Sequence, residues 1–300
     1  HRRLLDRMLA ILEEDGVLRR EGAGWRVERR PAPAGPDGRW AALRAQFPEF
    51  ATELDLVARC TGGLAEVLCG KADPLELLFP AGSLEDAGKL YRDTPSARTY
   101  NALVRDAIAA AIRNLPAHRK IRVLEIGAGT GGTTAHVLPV LPADRTEYTF
   151  TDVSTHFLRS ARAEFGAYPF VRYELLDISR DPSAQGFEPG AYDIVIAANV
   201  LHATPELRTT VRHVAELLAP GGLLVLFEVL VRQRFADLTV GLTEGWWSFT
   251  DHDLRPDYTL LSRQDWRRVL VVAGFDAVEA VPGADAKGML GTQAVFLARR

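Results

Sequence analysis

From residue 121 onward the apolar positions fall into short, unbroken runs: IRVLEIG (121–127), EYTFTD (147–152), VRYELLD (171–177), YDIVIAAN (192–199) and GLLVLFEV (222–229). Such apolar runs, rich in β-branched residues, mark strands, with YDIVIAA reading as fully buried, and helical stretches separate them. The pattern predicts a doubly wound, mostly parallel sheet. Two further runs, DAVEAVP (276–282) and QAVFLAR (293–299), are joined by the short stretch GADAKGMLGT. No crossover helix fits there, so they predict a terminal hairpin whose closing strand runs antiparallel to the rest.

Upstream the period changes. Residues 4–29, LLDRMLAILEEDGVLRREGAGWRVER, read as an amphipathic helix ended by Gly16 and then a short hairpin turning at EGAG, similar to the start of a winged-helix element. RRPAPAGPDG (29–38) predicts a loop or linker, and from Trp40 to about Leu78 apolar residues recur at helical spacing until LLFPAGS (77–83) interrupts them. A helix then starts near Thr94, with Pro95 at its first position, where a missing N–H costs nothing. The expected division is an N-terminal helical lid subdomain over 1–95 and an α/β core over 96–300.

Composition narrows the function classes. With 47% hydrophobic and 25% charged residues the chain is an ordinary globular one, which excludes extended disorder. A net charge of −3 gives no overall electrostatic footprint for nucleic acid. Cys60 and Cys69 are too few for a disulfide framework and lack CxxC spacing, so a reduced, cytoplasmic setting is expected. No apolar run is long enough for a membrane span and no signal peptide opens the chain. A start on His rather than Met suggests a piece of a longer polypeptide. Without HExxH, a paired Cys/His set or a Walker loop, no metal and no nucleotide hydrolysis is expected.

The glycine-rich turn EIGAGTGG (125–132) follows the first strand, where an open α/β sheet places its ligand. Its spacing alone also satisfies a dinucleotide fingerprint, leaving a nicotinamide oxidoreductase as a rival. Acids at successive strand ends add information: Glu125 before the first glycine, Asp152 ending TFTD and Asp177 ending ELLD. A carboxylate at the second strand's tip can bind ribose hydroxyls, and one at the third can reach an adenine amino group. Each acid alone is more often a helix cap, but three beside a glycine turn favour a cofactor site.

Here the sequence resembles the class I S-adenosylmethionine-dependent methyltransferases, whose first motif matches VLEIGAGTGG as written, and whose seventh strand inserts antiparallel. That resemblance implies a Rossmann-like seven-stranded sheet with S-adenosylmethionine as cofactor. It places Glu125, Gly127, Ala128 and Gly129 near the methionine moiety, Asp152 on the ribose and Asp177 at the adenine, and extends the cofactor-binding set to Val153, Ile178 and Asn199. LLFPAGS, LYRDTPSARTYN, NVLHATPELRTTVRHVAELLAPGGLLVLFE and LTEGWWSFTDHDLRPDYTLLS look more narrowly like the methyltransferase domains of modular polyketide synthases. The partners so implied are an acyl carrier protein bearing a phosphopantetheine-linked polyketide and the neighbouring synthase domains.

In this fold the fourth and fifth parallel strands are neighbours. His202 follows the fourth, Glu228 ends the fifth, and a strand-helix-strand unit of this length brings both tips to one edge, close enough for the imidazole to bond the carboxylate. In the domains that the chain resembles a His-Glu dyad is catalytic, and the matching positions are His202 and Glu228. The expected reaction is methylation of the α-carbon of a β-ketoacyl thioester, with His202 as base. Methylation of a β-oxygen and a non-catalytic scaffold role are the alternatives. Trp246 and Trp247 are candidates for the acyl tunnel or for packing. Tyr91 and Tyr100 are expected as core tyrosines rather than cofactor covers, and His213 and His252 as structural.

Overall fold

A computed structural model describes residues 2–30, 37–113, 115–116 and 118–300. The chain divides into two compact units, one made of the residues up to Asp86 together with Arg232–Trp247, the other of Ala87–Val231 and Ser248–Arg300.

The first unit opens with the helix Arg2–Glu14, which buries Leu4 and stops before Gly16, whose φ of 65° suits glycine. The hairpin follows as β1 (Leu18–Glu21) and β2 (Gly24–Val27), antiparallel, with Glu21 opposite Gly24. Most of the anticipated linker, residues 31–36, lies outside the described residues. Helices Asp37–Gln46, Ala51–Leu68 and Pro74–Leu78 come next, the last capped by Asp73, whose side chain accepts from the Leu75 amide.

Nothing in the apolar pattern anticipated that 232–247 would join this unit. Three ion pairs fasten it there: Arg7 Nε donates to Asp237 Oδ2 at 2.8 Å, and Arg234 reaches both Glu14 and Asp15. Partners more than 200 residues apart leave no periodic signature.

The second unit carries a seven-stranded sheet. In chain order its strands are β3 (Ile121–Ile126), β4 (Thr146–Asp152), β5 (Val171–Leu175), β6 (Tyr192–Ala198), β7 (Leu218–Val229), β8 (Ala277–Val281) and β9 (Gln293–Arg299). In space the order is β5-β4-β3-β6-β7-β9-β8. Strands β3 to β7 are parallel, while β9 runs antiparallel to both β7 and β8 and so sits between them.

Alternate residues of the central strands enter two cores. Leu124, Val195 and Leu226 face the helices Leu207–Leu217 and Arg263–Val272, while Val123, Ile196 and Val225 face the helices Pro95–Arg113 and Thr155–Phe165. The direction of winding reverses between β3 and β6. That reversal opens a crevice at the carboxyl ends of these strands, where ligands of such sheets bind.

Candidate active site

The turn leaving β3 is built by the end of β4. Ala128 N donates to Thr151 O at 2.9 Å, Gly129 N donates to Asp152 Oδ2 at 3.0 Å, and Ser154 N donates to Asp152 Oδ1 at 2.9 Å. Asp152 is 5% exposed, and burial raises its pKa against the pull of these amides. Gly127 has a φ of 58°, and a Cβ there would lie 2.2 Å from the Val200 side chain. Gly129, at φ 55°, differs: the nearest atom to a Cβ there would be Gly127 O at 3.9 Å, an ordinary contact.

Glu125 is 1% exposed and held from inside the sheet. Thr134 Oγ1 donates to its Oε2 at 2.5 Å, the Tyr148 hydroxyl donates to the same oxygen, and Thr151 Oγ1 donates to its backbone carbonyl at 2.7 Å. Burial, which these neutral hydroxyls only partly offset, pushes its pKa up to about 7.

Asp177 lies two residues past the end of β5 rather than on the strand. Its Oδ1 accepts from Ser179 N at 3.0 Å and from Ser179 Oγ at 2.6 Å, and Gln185 brackets its backbone. Ile178 is buried in the core, and its carbonyl meets His213 Nδ1 at 2.9 Å, which gives His213 a structural role. Val153 is 69% exposed and Leu175 49%, so the ends of β4 and β5 present apolar side chains.

Across the winding reversal, the tips of β6 and β7 are tied together. Asn199 takes a φ of 51°, which asparagine tolerates well, donates from its N to Phe227 O at 2.7 Å and accepts from Val229 N on Oδ1 at 3.1 Å. Its backbone amide and side chain together bracket Glu228. The turn Leu201–Ala203 follows. Glu228 Oε2 lies 2.5 Å from His202 Nδ1, while Oε1 accepts from Leu201 N at 3.1 Å and His202 N at 3.4 Å. His202 is 5% exposed and Glu228 0%. A carboxylate against Nδ1 favours the tautomer that carries its hydrogen on that nitrogen.

The remaining candidates separate cleanly. Tyr100 is buried, donates to Leu290 O and Gln293 O, and stacks on Phe227 at 5.0 Å, so it is a core residue. Tyr91 is half-exposed, and its carbonyl accepts from Asn101 Nδ2. Trp246 and Trp247 belong to the first unit, where Trp247 Nε1 donates to Gly241 O at 2.7 Å. The sequence reading missed Thr134 and Tyr148, which hold Glu125, and the buried pair Asp251–Arg255 at 2.6 Å. The charged i, i+4 spacing within DHDLR was the available signal for the last. Among the described residues no group of three or more His, Cys, Asp and Glu side chains is placed to hold a metal ion.

These features suit an adenosine derivative: uncrowded backbone at Gly129, a buried carboxylate for a ribose diol and exposed apolar side chains for a purine. A sheet of this order, antiparallel only at β9, with such a turn after its first parallel strand, is that of the class I S-adenosylmethionine-dependent methyltransferases.

Residues 124–224 match a family model described as a methyltransferase domain. Among solved structures, the CurJ carbon methyltransferase is 47% identical with a TM-score of 0.95, over 99% of this chain and 79% of that one. The trans-methyltransferase CalH, in complex with SAH, is 34% identical with a TM-score of 0.72, over 87% of this chain and 72% of that one. The polyketide synthase ThaQ of Burkholderia thailandensis is 39% identical over 301 residues, 96% of this chain and 14% of that protein. The chain belongs to the S-adenosylmethionine-dependent methyltransferase domains of polyketide synthases. It spans only a small part, 14% and 5%, of the first two curated synthases that it matches.

Proposed function

We propose that the domain methylates the α-carbon of a β-ketoacyl thioester carried by the phosphopantetheine arm of an acyl carrier protein, with His202 as base and Glu228 as its orienting partner. The observation that carries this reading is the buried 2.5 Å contact between His202 Nδ1 and Glu228 Oε2 at adjoining strand tips. Similarity to a protein named as a carbon methyltransferase favours carbon over oxygen as the acceptor. An intact glycine turn and dyad argue against a scaffold role.

When bound, S-adenosylmethionine supplies an electrophilic methyl on a sulfonium, so the donor needs no acid to assist its departure. Glu228 holds the imidazole in one tautomer. His202 Nε2 then takes the α-proton, which would leave the α-carbon as the nucleophile for the methyl that a bound donor would supply, the neutral thioether being the leaving group. Glu228 stabilises the imidazolium until the proton passes to solvent. A positioned base of this kind contributes about 10²–10⁴-fold. By the resemblance, Glu125, Gly127, Ala128, Gly129, Asp152, Val153, Asp177, Ile178 and Asn199 line the cofactor. The acyl carrier protein and neighbouring synthase domains are the partners implied by family membership.

His202→Ala should lower turnover of an acetoacetyl carrier protein by about 10²-fold or more while calorimetric affinity for S-adenosylmethionine changes less than about threefold. Undiminished turnover would remove the base assignment. Mass spectrometry and NMR of the product should find the added methyl on the α-carbon, whereas a methyl ether would transfer the reading to oxygen.

A further inference from the structure

The turn that carries His202 has only three residues, too few for its own helical bonds to hold it rigidly. Glu228 secures one side of it. The opposite side faces Arg255, which at 1% exposure is among the most deeply buried charged side chains of the protein.

Burying a guanidinium is unfavourable unless its N–H groups find acceptors. Arg255 Nε donates to Asp251 Oδ1 at 2.6 Å, Nη1 to the carbonyl of His202 at 2.7 Å, and Nη2 to the carbonyls of Thr204 at 2.8 Å and Pro205 at 2.9 Å. The His202 carbonyl has a second donor, Thr259 Oγ1 at 2.7 Å. Asp251 Oδ2 accepts from Leu207 N at 3.0 Å, anchoring the start of the next helix, and the Phe249 ring covers the guanidinium at 5.4 Å.

Every polar handle of the His202 backbone is thus engaged, its amide by Glu228 and its carbonyl by Arg255 and Thr259. A planar guanidinium fixes several acceptors at once in a way that one ammonium does not. The bonds made by Arg255 to the carbonyls of 202, 204 and 205 converge on one short turn, the one that bears the imidazole.

We propose that Arg255, held by Asp251 and seconded by Thr259, is a positioning residue for methyl transfer: it sets where the His202 imidazole stands relative to the substrate's acidic carbon. The inference rests on His202 being the base. Misplacing a reacting group by about 1 Å costs about 10²-fold in rate, so the arrangement acts on the chemical step rather than on binding.

The test compares Thr259→Val, Arg255→Lys and His202→Ala. Each variant is assayed for kcat, for KM of acetoacetyl-pantetheine, for S-adenosylmethionine affinity, and for exchange of the substrate's α-hydrogen with deuterated water when S-adenosylmethionine is absent. Arg255→Lys should lower kcat by about 10²-fold and Thr259→Val by about tenfold, each with KM and cofactor affinity within about threefold, and α-hydrogen exchange should slow in parallel. Thr259→Val removes one neutral donor, so it keeps the test decisive if Arg255→Lys fails to fold. Full exchange and full kcat in folded Thr259→Val and Arg255→Lys, beside an inert His202→Ala, would overturn the positioning role alone. Full exchange in His202→Ala would overturn the base assignment itself.

Discussion

Two glutamates occupy equivalent places in this sheet and are used in opposite ways. Glu125 is the penultimate residue of β3 and Glu228 that of β7, and they are 1% and 0% exposed. Glu125 is met by two hydroxyls on the same oxygen, from Thr134 and Tyr148, and its pKa rises to about 7. Glu228 is met by an imidazole and two backbone amides, spread over both oxygens. Burial is the same, so the donor set decides the chemistry. A carboxylate among neutral hydroxyls is suited to brace a backbone turn. One against an imidazole is suited to stabilise positive charge there.

The sharpest way to break this comparison is to exchange charge for an isosteric amide at Glu228. In Glu228→Gln, an amide N–H facing His202 Nδ1 turns the imidazole to its other tautomer, with the proton on Nε2, where it cannot act as base. Turnover should fall by about 10³-fold with cofactor affinity nearly unchanged, read by steady-state kinetics and calorimetry. Turnover within a few-fold of the parent would show that the tautomer is irrelevant.

A smaller effect should appear at the glycine turn behind which Glu125 sits. Gly129→Ala adds a Cβ in ordinary contact, 3.9 Å from Gly127 O, whereas Gly127→Ala drives one to within 2.2 Å of Val200. Both carry the cost of a positive φ, about 1 kcal/mol or somewhat more. Gly129→Ala should therefore weaken S-adenosylmethionine binding by about tenfold or more with a modest loss in Tm, and Gly127→Ala should lower Tm by several degrees more. Equal Tm losses for the two would contradict the close approach of Val200.

The smallest effect concerns the Glu125 proton. Its folded pKa lies above the ordinary glutamate value of 4.5, so the folded state holds more protons than the unfolded one between pH 4.5 and about 7. Stability from this group is consequently lost as pH rises through that window, by about 1 kcal/mol between pH 6 and 7.5. Denaturant titrations of the protein and of Glu125→Gln should differ by that slope, and parallel curves would show that Glu125 does not titrate there.

The parts of the molecule differ in how far they could be read in advance. Each strand of the large sheet was legible because an apolar run bounded by glycine or acid is a local property, and the short gap between residues 282 and 293 already required a hairpin. The proximity of His202 and Glu228 was legible once neighbouring strands were assumed, and the structure joins the two side chains at 2.5 Å. Asp177 was less so. It was placed at the strand tip, but β5 stops at Leu175 and Asp177 caps its own turn.

The sequence by itself determined the order of strands and helices, the glycine turn and the chemical identity of the groups at each strand end, because periodicity and spacing are carried by neighbours along the chain. Only the tertiary structure decided which donors each buried acid meets, that Arg255 holds the His202 turn, and that 232–247 packs with the first helix. Partners such as Thr134 and Glu125, His202 and Arg255, and Arg7 and Asp237 lie from 9 to 230 residues apart. Their pairing is selected by burial and by the need to satisfy every buried polar atom, conditions that exist only once the chain has folded.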